Sequence, residues 1–324
     1  MQNTDNPEDL IVGVVGLGLM GSSIICSFLI AGHKVIALAP LSRDAIGAFE
    51  RIRGHMSRSE RSGLLSAPID TYMNKLTISE DYSSLKNCSL VMECVVEIVE
   101  IKEMVYQKIV TVVSSETIIA SNTSAIPISL LQKLVSNPQR FLGIHWAEPA
   151  YMTRFLEVTC GEQTDMRNAE WIIKISGLWS KEPTLLKKDT VGFITNRLMY
   201  AVYREALALI QTDHTNMEDV DKAFRYDAGS WITLMGIFRR MDFLGLQNGL
   251  EILNTIYPKL NNDETVPPLM QEMVDQRARG VHNLRGLFKY TPQEGRQWET
   301  AFAQFNEDIF KLAAKYPSNY LTES

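Results

Sequence analysis

Three glycines close the run Val12-Gly13-Val14-Val15-Gly16-Leu17-Gly18-Leu19-Met20-Gly21. Gly16 permits a tight turn, Gly18 lets a pyrophosphate approach the backbone without a side chain in the way, and Gly21 lets the next helix pack closely on the preceding strand. The unpaired N–H groups around Leu19 and Met20, where that helix starts, then receive the phosphates. The spacing points to a dinucleotide. A glycine-rich turn without a ligand has the same composition, so the flanking strand and helix give the signal its weight.

An acid ordinarily ends the second strand of such a unit and accepts hydrogen bonds from the adenosine ribose. Ala39 stands there instead, followed by Pro40-Leu41-Ser42-Arg43. Ser42 and Arg43 could hold a 2′-phosphate, which would favour NADP over NAD. Alternatively, Arg43 beside Asp44 is only the solvated start of a helix. Both cofactors remain open at this point.

The elements that must position these groups show as an alternation of short β-branched runs with longer helical stretches. Strands are predicted at 11–15, 34–38, 90–94, 118–121, 141–144 and 154–159, and helices at 21–31, 45–63 and 98–113. That alternation implies parallel strands joined by helical crossovers, with ligands beyond their carboxyl ends. After Lys187-Lys188-Asp189 the pattern changes to a long amphipathic helix at 193–211 and further helix formers. The expected fold is α/β, a Rossmann-type doubly wound sheet over 1–189 followed by a smaller all-helical domain over 190–324.

Composition fits that frame. The 324 residues carry a net charge of -6, 45% apolar and 22% charged residues, as in ordinary soluble proteins with no nucleic-acid or membrane partner. No apolar stretch is long enough to span a bilayer. The start, Met1 to Leu10, is polar and acidic rather than signal-like. Cys26, Cys88, Cys94 and Cys160 are scattered without a Cys-x-x-Cys pair, so free thiols in a reducing cytoplasm are expected. No metal site is expected.

Four further segments stand out: Glu97-Ile98-Val99-Glu100-Ile101-Lys102, Ser121-Asn122-Thr123-Ser124, His145-Trp146-Ala147-Glu148-Pro149 leading to Phe155-Leu156-Glu157-Val158, and Lys188-Asp189-Thr190-Val191-Gly192-Phe193-Ile194-Thr195-Asn196-Arg197. With the glycine turn, in this order and spacing, the chain resembles the 3-hydroxyacyl-CoA dehydrogenase family from about Ile11 to Tyr290. The resemblance implies hydride transfer between a nicotinamide and the 3-hydroxyl of a 3-hydroxyacyl-CoA or related 3-hydroxy acid. It places His145 on the catalytic histidine, Glu157 on its carboxylate partner, Ser124 and Asn196 at the reacting oxygen, and Glu97, Lys102 and Asn122 near the cofactor. It also implies a homodimer built on the helical domain, which would close part of the substrate cleft, and a place in fatty acid metabolism.

The chemistry supplies its own reason for the first pair. Oxidising a secondary alcohol removes a hydroxyl proton as hydride leaves carbon, and imidazole titrates in the right range. A carboxylate on its other nitrogen fixes the tautomer. Ser124 and Asn196 could instead be turn and helix-cap residues, and Lys102 a solvated helix face.

Two departures stand against the resemblance. Besides Ala39, the family's usual Asn before proline is Glu148, an acid that would repel developing negative charge unless protonated or paired. Arg154 could pair with it, could recognise a substrate carboxylate, or could be, like Glu148, an ordinary surface charge. The helix carrying Arg51, Arg53, His55, Arg58 and Arg61 could meet CoA phosphates or be a solvated face. Two other readings compete. A small β-hydroxyacid dehydrogenase would need a catalytic lysine in a glycine-rich helix start, and Lys174 and Lys181 lack that context. A non-catalytic dinucleotide-binding protein of the same fold is kept open by Ala39 and Glu148.

Overall fold

The computed structural model describes residues 6–316; the first five residues of the acidic start and the last eight of the chain lie outside that range. Eight strands form one sheet: β1 (Ile11–Val15), β2 (Lys34–Leu38), β3 (Leu76–Ser79), β4 (Leu90–Glu93), β5 (Ile118–Ser121), β6 (Phe141–Trp146), β7 (Phe155–Cys160) and β8 (Glu182–Leu186). Their order is β3-β2-β1-β4-β5-β6-β7-β8, so β1 and β4 are neighbours and the chain reverses direction across the sheet there. In a doubly wound fold that switch point is where a dinucleotide binds. All residues of β4 and β5 are buried, as expected for central strands covered on both faces.

The sequence implied parallel strands throughout. The structure corrects this at one place: β6 and β7 run antiparallel. The loop between them is short, so the chain returns beside itself without the helical crossover a parallel pair requires. β3 and β8 were also not anticipated. Each is a short, half-exposed edge strand, and β8 carries Pro183, which edge positions tolerate.

The first helix, α1 (Leu19–Ile30), is apolar on every side and buries nine residues. Phe28 packs edge-on against Trp146 and Trp179, with ring centroids 5.5 and 5.0 Å away, fixing α1 against β6 and so the glycine turn against the strand that carries His145.

Residue contacts divide the chain into two compact units, the first ending at Asn196 and the second starting at Arg197. The second is built from helices. No residue is buried in Met217–Tyr226, Ala228–Leu244, Leu246–Ile256 or Pro268–Asp275. Large apolar side chains stand exposed there, Phe238 at 81% and Phe243 at 73% among them. Among the described residues no helix is long and apolar enough to cross a membrane.

Candidate active site

The glycine turn has the shape a pyrophosphate needs. Gly16 is left-handed at φ +100°, and a Cβ there would lie 2.8 Å from the Cys94 carbonyl. At Gly21 a Cβ would lie 1.8 Å from the Gly16 oxygen, whereas at Gly18 it would meet nothing within 4 Å. Close packing thus demands glycine at the first and third positions, and the second faces open space. Gly18 caps α1 without any side-chain hydrogen bond, leaving first-turn N–H groups for an anion. Leu19 is exposed beside it. These residues fit a dinucleotide.

On β6 and β7, His145 is the direct cross-strand partner of Glu157. Directly paired residues share one face of a sheet, and Nδ1 of His145 lies 3.2 Å from Oε2 of Glu157. The carboxylate is 1% exposed and the imidazole 15%. Its other oxygen, Oε1, accepts from the N–H groups of Ile194 (2.8 Å) and Thr195 (3.3 Å). Those amides open the helix Thr195–Gln211 and carry its positive end. The chain is aimed there by two consecutive left-handed residues, Gly192 at φ 80° and Phe193 at φ 51°. Phe193 is unfavourable in that region, but its ring is buried and packs 6.0 Å from the imidazole. With Nδ1 held, Nε2 is the nitrogen available to a substrate hydroxyl.

Ser124 is exposed, and its backbone joins two other candidates: the carbonyl accepts from Nδ2 of Asn196 at 2.9 Å, and the N–H donates to Glu97 at 3.1 Å. Glu97 also accepts from the Thr123 hydroxyl. Burial pushes Glu97 up, but the Thr123 hydroxyl and Lys102 outweigh it and hold the carboxyl below its usual range. Asn122 uses Oδ1 to accept from the Trp146 N–H at 3.0 Å, tying the end of β5 to β6.

Lys102 is not a solvated helix residue. It is 1% exposed, and its Nζ sits 2.8 and 3.0 Å from the two oxygens of Glu93 and 3.1 Å from Glu97. Three carboxylate oxygens match the three donors of an ammonium. Sequence reasoning missed Glu93. It is fully buried and accepts as well from Tyr106 (2.7 Å), Ser121 (2.7 Å) and the Val95 N–H (2.7 Å). An acid ending a wholly apolar strand was the available signal.

Model descriptions of this architecture match nearly the whole chain: "3-hydroxyacyl-CoA dehydrogenase, NAD binding domain" over residues 11–190 and the corresponding C-terminal domain over 192–290. The chain belongs to the 3-hydroxyacyl-CoA dehydrogenase family. It is a nicotinamide-dependent oxidoreductase. It is 31% identical over 87% of its length to a 5-formyl-3-hydroxy-2-methylpyridine 4-carboxylate 5-dehydrogenase of Mesorhizobium japonicum, covering 91% of that protein. A probable 3-hydroxybutyryl-CoA dehydrogenase of Deinococcus radiodurans is 29% identical, with 86% and 99% covered. A crystal structure of the pyridine-carboxylate enzyme, described as an NAD+ dependent dismutase, superposes with TM-score 0.87 at 27% identity, over 95% of this chain and 99% of the other. M. tuberculosis FadB2 gives 0.72 at 28% identity, with 86% and 98% covered.

Against the family pattern, Glu148 is the clearest departure. Burial raises its pKa to about 7, opposed by the Ser23 hydroxyl and Arg58, and its Oε2 is buried without a hydrogen-bond partner. Of the alternatives for Arg154, the structure shows an ion pair with Glu182 at 3.9 Å. The loop after β6 is tethered instead by the buried Lys181, whose Nζ donates to the carbonyls of Ala150 and Thr153. On the basic helix, Ala48–Arg61, Arg51 donates to the carbonyls of Leu17, Asp44 and Ile46. Arg53 pairs with Asp70 at 2.8 Å. Arg58 donates to Tyr151 at 3.0 Å and to His55 at 2.8 Å.

Proposed function

We propose that this protein uses NAD to oxidise, or NADH to reduce, the 3-position of a 3-hydroxyacyl-CoA or a related 3-hydroxy acid. The His145–Glu157 pair carries the reading. In the oxidative direction Nε2 of His145 takes the hydroxyl proton, and the carboxylate of Glu157 holds the proton on Nδ1 and stabilises the imidazolium. A bound nicotinamide supplies the hydride acceptor. The amides of Ile194 and Thr195 keep Glu157 oriented so that its second oxygen stays on the imidazole. Ser124 and Asn196, joined through one hydrogen bond, orient the reacting oxygen. Gly16, Gly18, Leu19, Met20 and Gly21 receive the pyrophosphate, while Glu97, set by Lys102, and Asn122 line the nicotinamide end.

A second substrate reading rests on one observation. Of the arginines offered to CoA phosphates, Arg51, Arg53 and Arg58 are engaged by protein groups. A small hydroxy or oxo acid, as in the pyridine-carboxylate relative, needs no phosphate contacts from those arginines, and its carboxylate would have to lie away from Glu148. Steady-state assays with acetoacetyl-CoA and with small keto acids decide between them.

The helical unit is best completed by a second copy of the chain, since Met217–Tyr226, Ala228–Leu244, Leu246–Ile256 and Pro268–Asp275 bury no residue and large apolar side chains such as Phe238 and Phe243 stand exposed, as on association surfaces. The four free thiols fit a reducing cytosol.

A further inference from the structure

The ribose acid missing at Ala39 has a replacement on the neighbouring strand. β2 and β3 are paired with Leu38 opposite Ser79, and Ala39 donates its N–H to the Ser79 carbonyl at 2.9 Å. The next residue, Glu80, is thereby brought beside the loop that follows β2. Its Oε2 lies 2.5 Å from the Ser42 hydroxyl, which donates to it. We propose that Glu80, acting with Ser42, selects NAD against NADP at the adenosine ribose. This rests on the dinucleotide reading of the glycine turn.

The chemistry is one of donors and acceptors. With its proton committed to Glu80, Ser42 presents only lone pairs, which accept from a ribose 2′-hydroxyl. A 2′-phosphate offers acceptors and negative charge, so it would meet both the Ser42 lone pairs and the Glu80 carboxylate. Of the two nearby cations, one is anchored on protein carbonyls and the other is an exposed side chain beside an acid. Arg51 is turned onto the carbonyls of Leu17, Asp44 and Ile46. The Arg43 side chain is 80% exposed and 4.0 Å from Asp44. Glu80 thus does from β3 what an acid at the end of β2 does in other dinucleotide folds.

The test is direct binding of NADH and NADPH to the full-length protein, followed by nicotinamide fluorescence at fixed ionic strength. The native protein is expected to bind NADH at least about tenfold more tightly than NADPH, the size of one like-charge contact. Glu80→Gln should shrink that ratio about tenfold and Glu80→Lys should reverse it, chiefly by tightening NADPH. Ser42→Ala should weaken NADH and leave circular dichroism unchanged. Equal affinities in the native protein, or an unchanged ratio in a folded Glu80→Lys variant, would overturn the role of Glu80 while leaving the dinucleotide site standing. Binding of neither nucleotide would overturn both.

Discussion

His145 and Glu157 face each other directly across the antiparallel β6–β7 pair, with Nδ1 and Oε2 3.2 Å apart. Because strand pairing itself makes this contact, the sheet's register holds it. Replacing Glu157 by Gln retains the shape, but the amide NH₂ can then donate to Nδ1. That forces the proton onto Nε2, where the imidazole can no longer accept one from substrate. The expected loss in kcat for Glu157→Gln is about 10²–10⁴-fold, with the NADH dissociation constant changed less than about threefold. Stopped-flow turnover and a fluorescence titration on one preparation separate the two.

Gly18 and Gly21 should respond differently to a side chain. A Cβ at Gly21 would collide with the Gly16 oxygen at 1.8 Å, while at Gly18 it would enter open space. Gly18→Val is therefore expected to keep the melting temperature and raise the NADH dissociation constant about tenfold or more, since it blocks only the ligand's approach. Gly21→Val should fail to fold stably. Differential scanning fluorimetry with the titration checks both.

The pKa of Glu148 is raised from its ordinary 4.5 to about 7 by burial. The folded state therefore keeps a proton that the unfolded chain loses from about pH 4.5 upward, and stability falls as pH rises through the window from 4.5 to about 7. Glu148→Gln, a mimic of the protonated acid, should be more stable than the native protein at pH 8 by about 1–3 kcal/mol after allowance for partial solvent screening. That advantage should vanish at pH 4. Urea denaturation at the two pH values reads the sign.

Lys102 and Glu93 form a buried pair at 2.8 Å. Lys102→Met leaves a buried carboxylate without its cation, an error expected to cost about 3–5 kcal/mol. Glu97→Gln should cost much less, because Glu97 is 39% exposed. Denaturation midpoints of the two variants rank them.

If a second copy covers the helical unit, the native protein should run at twice its 36.6 kDa chain mass in light scattering. Phe238→Asp, on a ring 81% exposed in the single chain, should shift it toward the monomer. A native monomer would contradict the dimer.

Much of the site was legible because its residues sit in continuous segments whose order survives in the sequence. The glycine turn was readable from its flanking strand and helix, and His145 and Glu157 from their motif. Their mode of meeting was not read: alternation of strands and helices implies parallel pairing, and the signal of reversal, a gap between Trp146 and Phe155 too short for a helical crossover, was passed over. Glu93 was hidden because an acid at the end of a buried strand has no periodic signature, and its partners come from three other places in the chain. The Ile194 and Thr195 amides are backbone groups, invisible until Gly192 and Phe193 fix the turn. A pairing of Arg154 with Glu148 rested on sequence proximity, while the pairing of β7 with β8 brings it to Glu182.

The central claim is that His145 moves the proton that accompanies hydride transfer. It is tested most directly by comparing native and His145→Gln protein in single-turnover reaction with whichever substrate the native protein accepts, read by nicotinamide absorbance. The expected result is a rate lower by about 10²–10⁴-fold, with NADH bound as in the native protein. A His145→Gln rate within about threefold of native, well inside the effect of losing a general base, would contradict it.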